Sequence, residues 1–187
     1  MTTIRGFIAV QIPIEVKDAL GDVSRGLEGR VESGAIRWVR PEQMHLTLRF
    51  LGDTAVAQLP AIQRGMDEAA KAIAPFDMHL GDVGCFPNPR RPRVIWAGLL
   101  GDEARLLSLK TVLDQQLTPL GWPPEDKPFR AHLTLGRVKD ERAAQGVTWT
   151  APVPRLPVPV AAIHLIESQL RPSGPIYTTR HTSQLSG

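Results

Sequence analysis

The chain is short of several things at once. It has one cysteine, Cys85, so no intrachain disulfide can form, and a reducing compartment, the cytoplasm, is the simplest setting. No apolar run approaches the roughly 18 residues that span a bilayer, which predicts no transmembrane helix and no membrane association. Met1-Thr2-Thr3-Ile4-Arg5 lacks the charged-then-apolar build of a secretory signal. There is no glycine-rich phosphate loop of the Walker type. There is neither a Cys pair nor a spaced group of histidines and carboxylates that would suggest zinc or manganese, so no metal is expected.

What remains is the composition of an ordinary globular protein. Of 187 residues, 42% are hydrophobic and 22% charged, which excludes a disordered tail or a fibrous repeat. The length predicts one domain able to bury its own core, or one domain made of two similar halves. The 22 basic residues divide into 17 Arg and 5 Lys. Arginine's planar fork suits bidentate phosphate contact, so the bias hints at a phosphorylated partner. Seventeen prolines work against long helices where they cluster.

The chain contains an internal repeat. His45-Leu46-Thr47-Leu48 recurs as His132-Leu133-Thr134-Leu135, 87 residues later. The flanks rhyme: an apolar run opening at Arg5-Gly6-Phe7 precedes His45 by 40 residues, and one opening at Arg93-Val94-Ile95 precedes His132 by 39. Each run leads into a helical pattern, a loop and the tetrapeptide, a duplicated strand–helix–strand unit. The periodicities predict strands over 7–12, 36–39, 44–51, 76–83, 94–99 and 131–138, and helices over 16–27, 59–73 and 103–117. A hairpin is expected from 162–170 and 176–182 around Arg171-Pro172-Ser173-Gly174-Pro175. The stretches 86–92, 119–128 and 152–159 read as proline-rich loops or irregular chain. Short loops and the terminal hairpin favour antiparallel pairing, hence an α+β fold of two packed lobes.

On a strand, residues two apart share a face. His45 and Thr47 therefore face away from Leu46 and Leu48, as His132 and Thr134 do from Leu133 and Leu135. The same parity adds Gln43 and Arg49 to the first polar face and Arg130 to the second. A pseudo-twofold would bring two imidazoles, two hydroxyls and one or two guanidiniums into one cleft. Such a set suits hydrolysis of a cyclic phosphodiester. One histidine deprotonates water, the other protonates the departing ribose oxygen, and hydroxyls and guanidiniums meet the charge growing on the phosphoryl oxygens. A lone His-x-Thr on a strand means little. Packing would explain twin leucines but not twin histidines.

The strings from His45 to Gly52 and from Pro128 to Arg137 resemble the two signature motifs of the two-histidine phosphoesterase superfamily. The resemblance is closest to its LigT-like RNA 2′,3′-cyclic phosphodiesterases. The opening Arg5–Val10, the Phe86-Pro87 loop running into Arg93–Gly98, and Ser168-Gln169-Leu170 with Gly174 and Tyr177 extend it over nearly the whole chain. Ala131 stands where relatives often carry proline. The resemblance implies one domain over 1–187 built from two pseudo-symmetric lobes, each an antiparallel sheet flanked by helices, around a central cleft. It implies hydrolysis of RNA ends bearing a 2′,3′-cyclic phosphate to a 2′-phosphomonoester, without metal or nucleotide cofactor. Substrates would be tRNA fragments or oligonucleotides, and the protein would act as a monomer. By motif position His45 is the general acid and His132 the general base. Thr47, Thr134, Arg130 and, less centrally, Arg49 bind the phosphate. Some relatives also join RNA halves through a 2′–5′ linkage, and the resemblance leaves that reaction open here. Two other readings stay open: an RNA-end-binding module without turnover, and a phosphodiesterase for a small cyclic phosphate such as that of ADP-ribose.

Other side chains divide between packing and binding. Phe86 and Tyr177 could stack on a base, whereas Trp38 reads as core. Arg90, Arg91 and Arg93 form a basic loop, either solvated or touching RNA backbone. His79, His164 and His181 lack a repeated partner and read as structural, and Cys85 as an unreactive small residue.

Overall fold

The computed structural model describes residues 2–172 and 174–187. Ser173, in the expected hairpin turn, lies outside the described residues. Strand β1 (Thr3–Gln11) leads into α1 (Ile14–Glu28), β2 (Ile36–Trp38), β3 (His45–Ala55), α2 (Leu59–Lys71), β4 (Phe76–Phe86), β5 (Val94–Gly101), α3 (Glu103–Leu117), β6 (His132–Val138), β7 (Pro157–Val160), β8 (Ala162–Gln169) and β9 (Ile176–Gln184). The strand pairings among the described residues are antiparallel, in the order β7-β4-β5-β6-β3-β1-β8-β9, with β2 also on β6. Among the described residues no helix is long and apolar enough to cross a membrane.

The α+β fold holds, and its two halves meet at one pair. Leu46 of β3 and Leu133 of β6 are register partners, and both are fully buried. The 87-residue offset runs through the flanking strands too. Phe7↔Phe50, Ile8↔Arg49 and Ala9↔Thr47 recur as Val94↔Arg137, Ile95↔Gly136 and Trp96↔Thr134. The alignment of Arg5 with Arg93 that the sequence suggested is thus one residue out, and Arg93 corresponds to Gly6. Both copies skip a residue at the same place, Leu48 in β3 and Leu135 in β6, which is a β-bulge.

The halves are not contiguous in the chain. β4, from the first half, pairs with β5, and β8, from the last third, pairs with β1. β7 falls in a stretch expected to be irregular. It is an edge strand on β4, with the exposed Pro157 and Pro159 opposite His79 and Asp77. An edge strand is where proline's missing N–H can be tolerated.

The helices cover one face of the sheet. α1 buries Val16, Leu20, Val23 and Leu27 at helical spacing, and Pro13 precedes its first turn. α3 starts at Asp102, whose carboxylate accepts the Arg105 N–H at 2.9 Å. Its buried stripe is Leu106, Leu109, Leu113 and Leu117, but also Lys110 and Asp114. Phe7, Ala9 and Ile166, with Tyr177 against them, form a small apolar cluster separate from the main core. Phe7 and Tyr177 also line a cleft.

Candidate active site

The cleft measures about 1600 Å³. His45, Thr47, His132, Thr134, Arg130, Phe86 and Tyr177 all line it. Beneath them Leu46 and Leu133 anchor their strands in the core. Continuing the Leu46↔Leu133 register sets His45 across from Thr134 and Thr47 across from His132. Each histidine therefore sits beside the threonine of the other copy.

Both imidazoles are clamped alike. His45 Nδ1 lies 2.7 Å from the Gln43 carbonyl, and His132 Nδ1 lies 2.7 Å from the Arg130 carbonyl. A carbonyl only accepts, so each Nδ1 carries the hydrogen and donates it. In the neutral ring the lone pair is then left on Nε2. The duplicated backbone thus fixes the same tautomer twice.

The surroundings of the two rings differ. Phe7 stacks on His45 at 4.7 Å, and Tyr177 meets it edge-on at 5.4 Å. Burial lowers the His45 pKa from 6.5 to about 4, against the raising effect of the Gln43 carbonyl. Lys17 and His132 push it the same way as burial, through their charge. His132 meets Phe86 edge-on at 5.0 Å and Trp96 at 6.5 Å. Burial lowers its pKa as well, with help from the Arg137 charge and against the Arg130 carbonyl.

Trp96 fits because Gly84 lies opposite it in β4. A Cβ on Gly84 would come within 2.3 Å of the indole ring. Gly84→Ala is expected to force the indole aside and to destabilise the fold by about 1–3 kcal/mol, read as a shift in the urea midpoint. An unshifted midpoint would show that the ring has room to move.

Arg49 is not in the cleft. The parity that placed it beside His45 and Thr47 is broken by the bulge, so Leu48 and Arg49 are both buried. The Arg49 guanidinium pairs with Asp114 at 3.3 Å and donates to the Pro123 carbonyl. Asp114 also pairs with the buried Lys110. Phe50 and Arg137 take the cleft face instead. Phe50 is 58% exposed and Arg137 is exposed. The parity reading missed both of them.

Arg130 stands exposed at the rim, its guanidinium 6.0 Å from the Phe86 ring centre. Trp38 packs against the core from a half-buried position, but it also lines the cleft. Ala131 packs against the core. Arg90 and Arg91 cap the Asn88 side chain with their backbone N–H groups. Arg93 pairs with Glu141 at 3.2 Å, and none of the three is among the residues lining the cleft. His164 bonds Thr182, His181 bonds Asp67, and His79 is exposed on β4. Cys85 is buried, and that burial raises its thiol to about 11, which makes it a poor nucleophile.

Comparison with known proteins bears on the family and the fold. The family model of the LigT-like phosphoesterases matches residues 10–96 and 100–177. The RNA 2′,3′-cyclic phosphodiesterase of Methanothermobacter thermautotrophicus is 31% identical over 97% of this chain and 99% of its own. That of Thermus thermophilus is 34% identical over 98% and 91%. A crystal structure of a Thermus thermophilus protein superposes with a TM-score of 0.80 at 32% identity, covering 98% of this chain and 99% of its own. Escherichia coli LigT complexed with 3′-AMP gives 0.80 at 25% identity over both whole chains. A duplicated strand motif, its shared bulge and these matches over nearly the full length place the chain in the LigT-like phosphoesterase family.

Proposed function

We propose that the protein hydrolyses RNA ends carrying a 2′,3′-cyclic phosphate to 2′-phosphomonoesters. What carries the reading is the pair of imidazoles, each clamped at Nδ1 and lining one cleft beside a threonine. Relatives named for this activity support it. Neutral His132 takes a proton from water at Nε2 as the water oxygen attacks phosphorus. The bond from phosphorus to the ribose 3′ oxygen breaks, and His45 Nε2–H protonates that oxygen. Thr47 and Thr134 donate to the phosphoryl oxygens, and Arg130 and Arg137 offset their charge. The division of acid and base follows the family resemblance. Burial works against it in the free enzyme, where His45 resists protonation, and an anionic phosphate between the rings offsets that burial.

A cyclic-phosphate dinucleotide tests the reading, with the product followed by phosphorus NMR in the presence of EDTA. A 2′-phosphomonoester signal is expected. Tight binding without turnover would instead make the chain an end-binding module, and activity lost with EDTA would overturn the two-histidine scheme. A small cyclic phosphate as the preferred substrate would overturn the assignment to RNA.

The pH profile follows from the two lowered histidines. kcat/KM reports the free enzyme, which needs one ring protonated and one neutral. Both rings lose their protons below the ordinary 6.5, so kcat/KM is expected to peak between about 4 and 6.5 and to fall through neutrality. kcat reports the bound complex, where the substrate's charge raises both values, and its optimum is expected at higher pH. Coincident kcat and kcat/KM profiles in steady-state assays would contradict this.

A further inference from the structure

The two histidine clamps are supported differently. Gln43, whose carbonyl holds His45, sits in a short turn that bonds itself: the Gln43 N–H donates to the Arg40 carbonyl and the Met44 N–H to the Pro41 carbonyl. Arg130, whose carbonyl holds His132, ends a loop with no such support. Among the described residues, no N–H or carbonyl of 123–130 bonds another backbone group. Pro123, Pro124 and Pro128 have no N–H to offer. Yet all of 123–130 lines the cleft. A segment without its own backbone bonds keeps one position only where side chains hold it.

Arg49, Trp122 and Lys110 do so. The Arg49 guanidinium donates to the Pro123 carbonyl, and Trp122 Nε1, at the start of the loop, donates to the Leu51 carbonyl at 2.9 Å. Arg49 and Leu51 both belong to β3, the strand that begins at His45. Lys110 stands 3.9 Å from Glu125 and 5.9 Å from the centre of the Phe129 ring. Asp114, one turn along α3, pairs with both buried cations. The second copy has no counterpart of Arg49. Gly136 stands at that place, and a Cβ there would come within 2.7 Å of Ile36. The strand of the first copy thus holds the loop that delivers the clamp of the second. A carbonyl displaced from Nδ1 frees the ring to carry its hydrogen on Nε2, and an Nε2–H cannot take a proton from water. The geometry points to Arg49, buried outside the cleft, as a positioning residue for His132. Anchored by Asp114, it fixes the 123–130 loop so that the Arg130 carbonyl keeps the lone pair on Nε2. The consequence for turnover rests on the activity proposed above.

Arg49→Met tests this. It leaves Lys110 and Asp114 as a balanced pair and removes a buried Nε–H with no partner among the described residues, so the fold is expected to stand. Nitrogen-15 NMR of the imidazoles, without substrate and at a pH where both are neutral, reads the tautomers directly. In the wild type the Nδ1 and Nε2 shifts of each ring should lie far apart, as a single fixed tautomer gives. In Arg49→Met those of His132 should draw together, while those of His45, on the same strand as Arg49, should stay where they are. On a cyclic-phosphate dinucleotide kcat should fall about tenfold, part of the roughly 10²–10⁴ that a positioned base supplies. Arg49→Lys, a point charge without the fork, should recover part of both. His132 shifts that stay apart in Arg49→Met, a change confined to His45, or an unaltered kcat would overturn the proposal. If Arg49→Met does not fold, the variant with Arg49, Lys110 and Asp114 all replaced by apolar residues is read in the same two ways, with the same outcomes deciding. An inactive wild type in which Arg49→Met still loosens the His132 tautomer would sink the activity and leave the positioning role standing. An active enzyme whose His132 tautomer ignores Arg49 would do the reverse.

Discussion

Replacing His132 by alanine is expected to lower kcat/KM for a 2′,3′-cyclic phosphate by about 10²–10⁴-fold, the usual worth of a positioned proton-transfer group. The fold should stand, because the His132 ring packs only edge-on against Phe86 and Trp96 at the cleft wall. An unshifted thermal midpoint alongside the lost activity would separate chemistry from folding. His45→Ala should cost a similar factor. Removing both rings should cost little more than removing one, because each is idle without the other. A His132→Ala loss smaller than about tenfold would show that the water does not depend on this ring as its base and would sink the two-histidine mechanism.

The largest effect on stability is expected at Asp114. Its carboxylate lies between two buried cations, Arg49 and Lys110, each with a side chain only 5% exposed. Asp114→Ala would leave both charges in the interior with their principal partner gone, a loss of about 3–5 kcal/mol. Replacing Arg49, Lys110 and Asp114 together by apolar residues of similar size should restore most of it, since no charge is then stranded. Urea unfolding of the two variants checks the pair of outcomes, and equal stability of the single and triple variants would contradict it. The triple variant also frees the Pro123 carbonyl, which Arg49 holds at the start of the loop leading to Arg130.

Much of this was legible in the residues. The repeated tetrapeptide marked the centre of the fold, because only an alternating strand leaves histidine and threonine together on the face away from two leucines. All three helices stood out as apolar stripes, and α3 begins and ends where its pattern does. Arg49 was misread because alternation was carried past Leu48. A signal was present in both copies. Leu46 and Leu48 are followed by Leu51, and Leu133 and Leu135 by Val138, three residues on rather than two. Leu51 is buried like Leu48, and an uninterrupted strand cannot put both in one core. Reading that spacing would have turned Phe50 and Arg137 toward the cleft. β7 was hidden by Pro157 and Pro159, which argue against a strand unless its outer edge is known to be free. Which strands pair across the halves depends on contacts far apart in the chain, and local periodicity carries no trace of them.

The exchange of β4 and β8 bears on ancestry. A lone half-chain would carry one imidazole and one hydroxyl, and the strand it lends would have nothing to rest on. Two identical copies, each clasping the other's outgoing strand, would complete both sheets and bring two such imidazoles together at their common axis. The chain has the form of such a homodimer fused end to end, and its cleft lies where the two copies would meet.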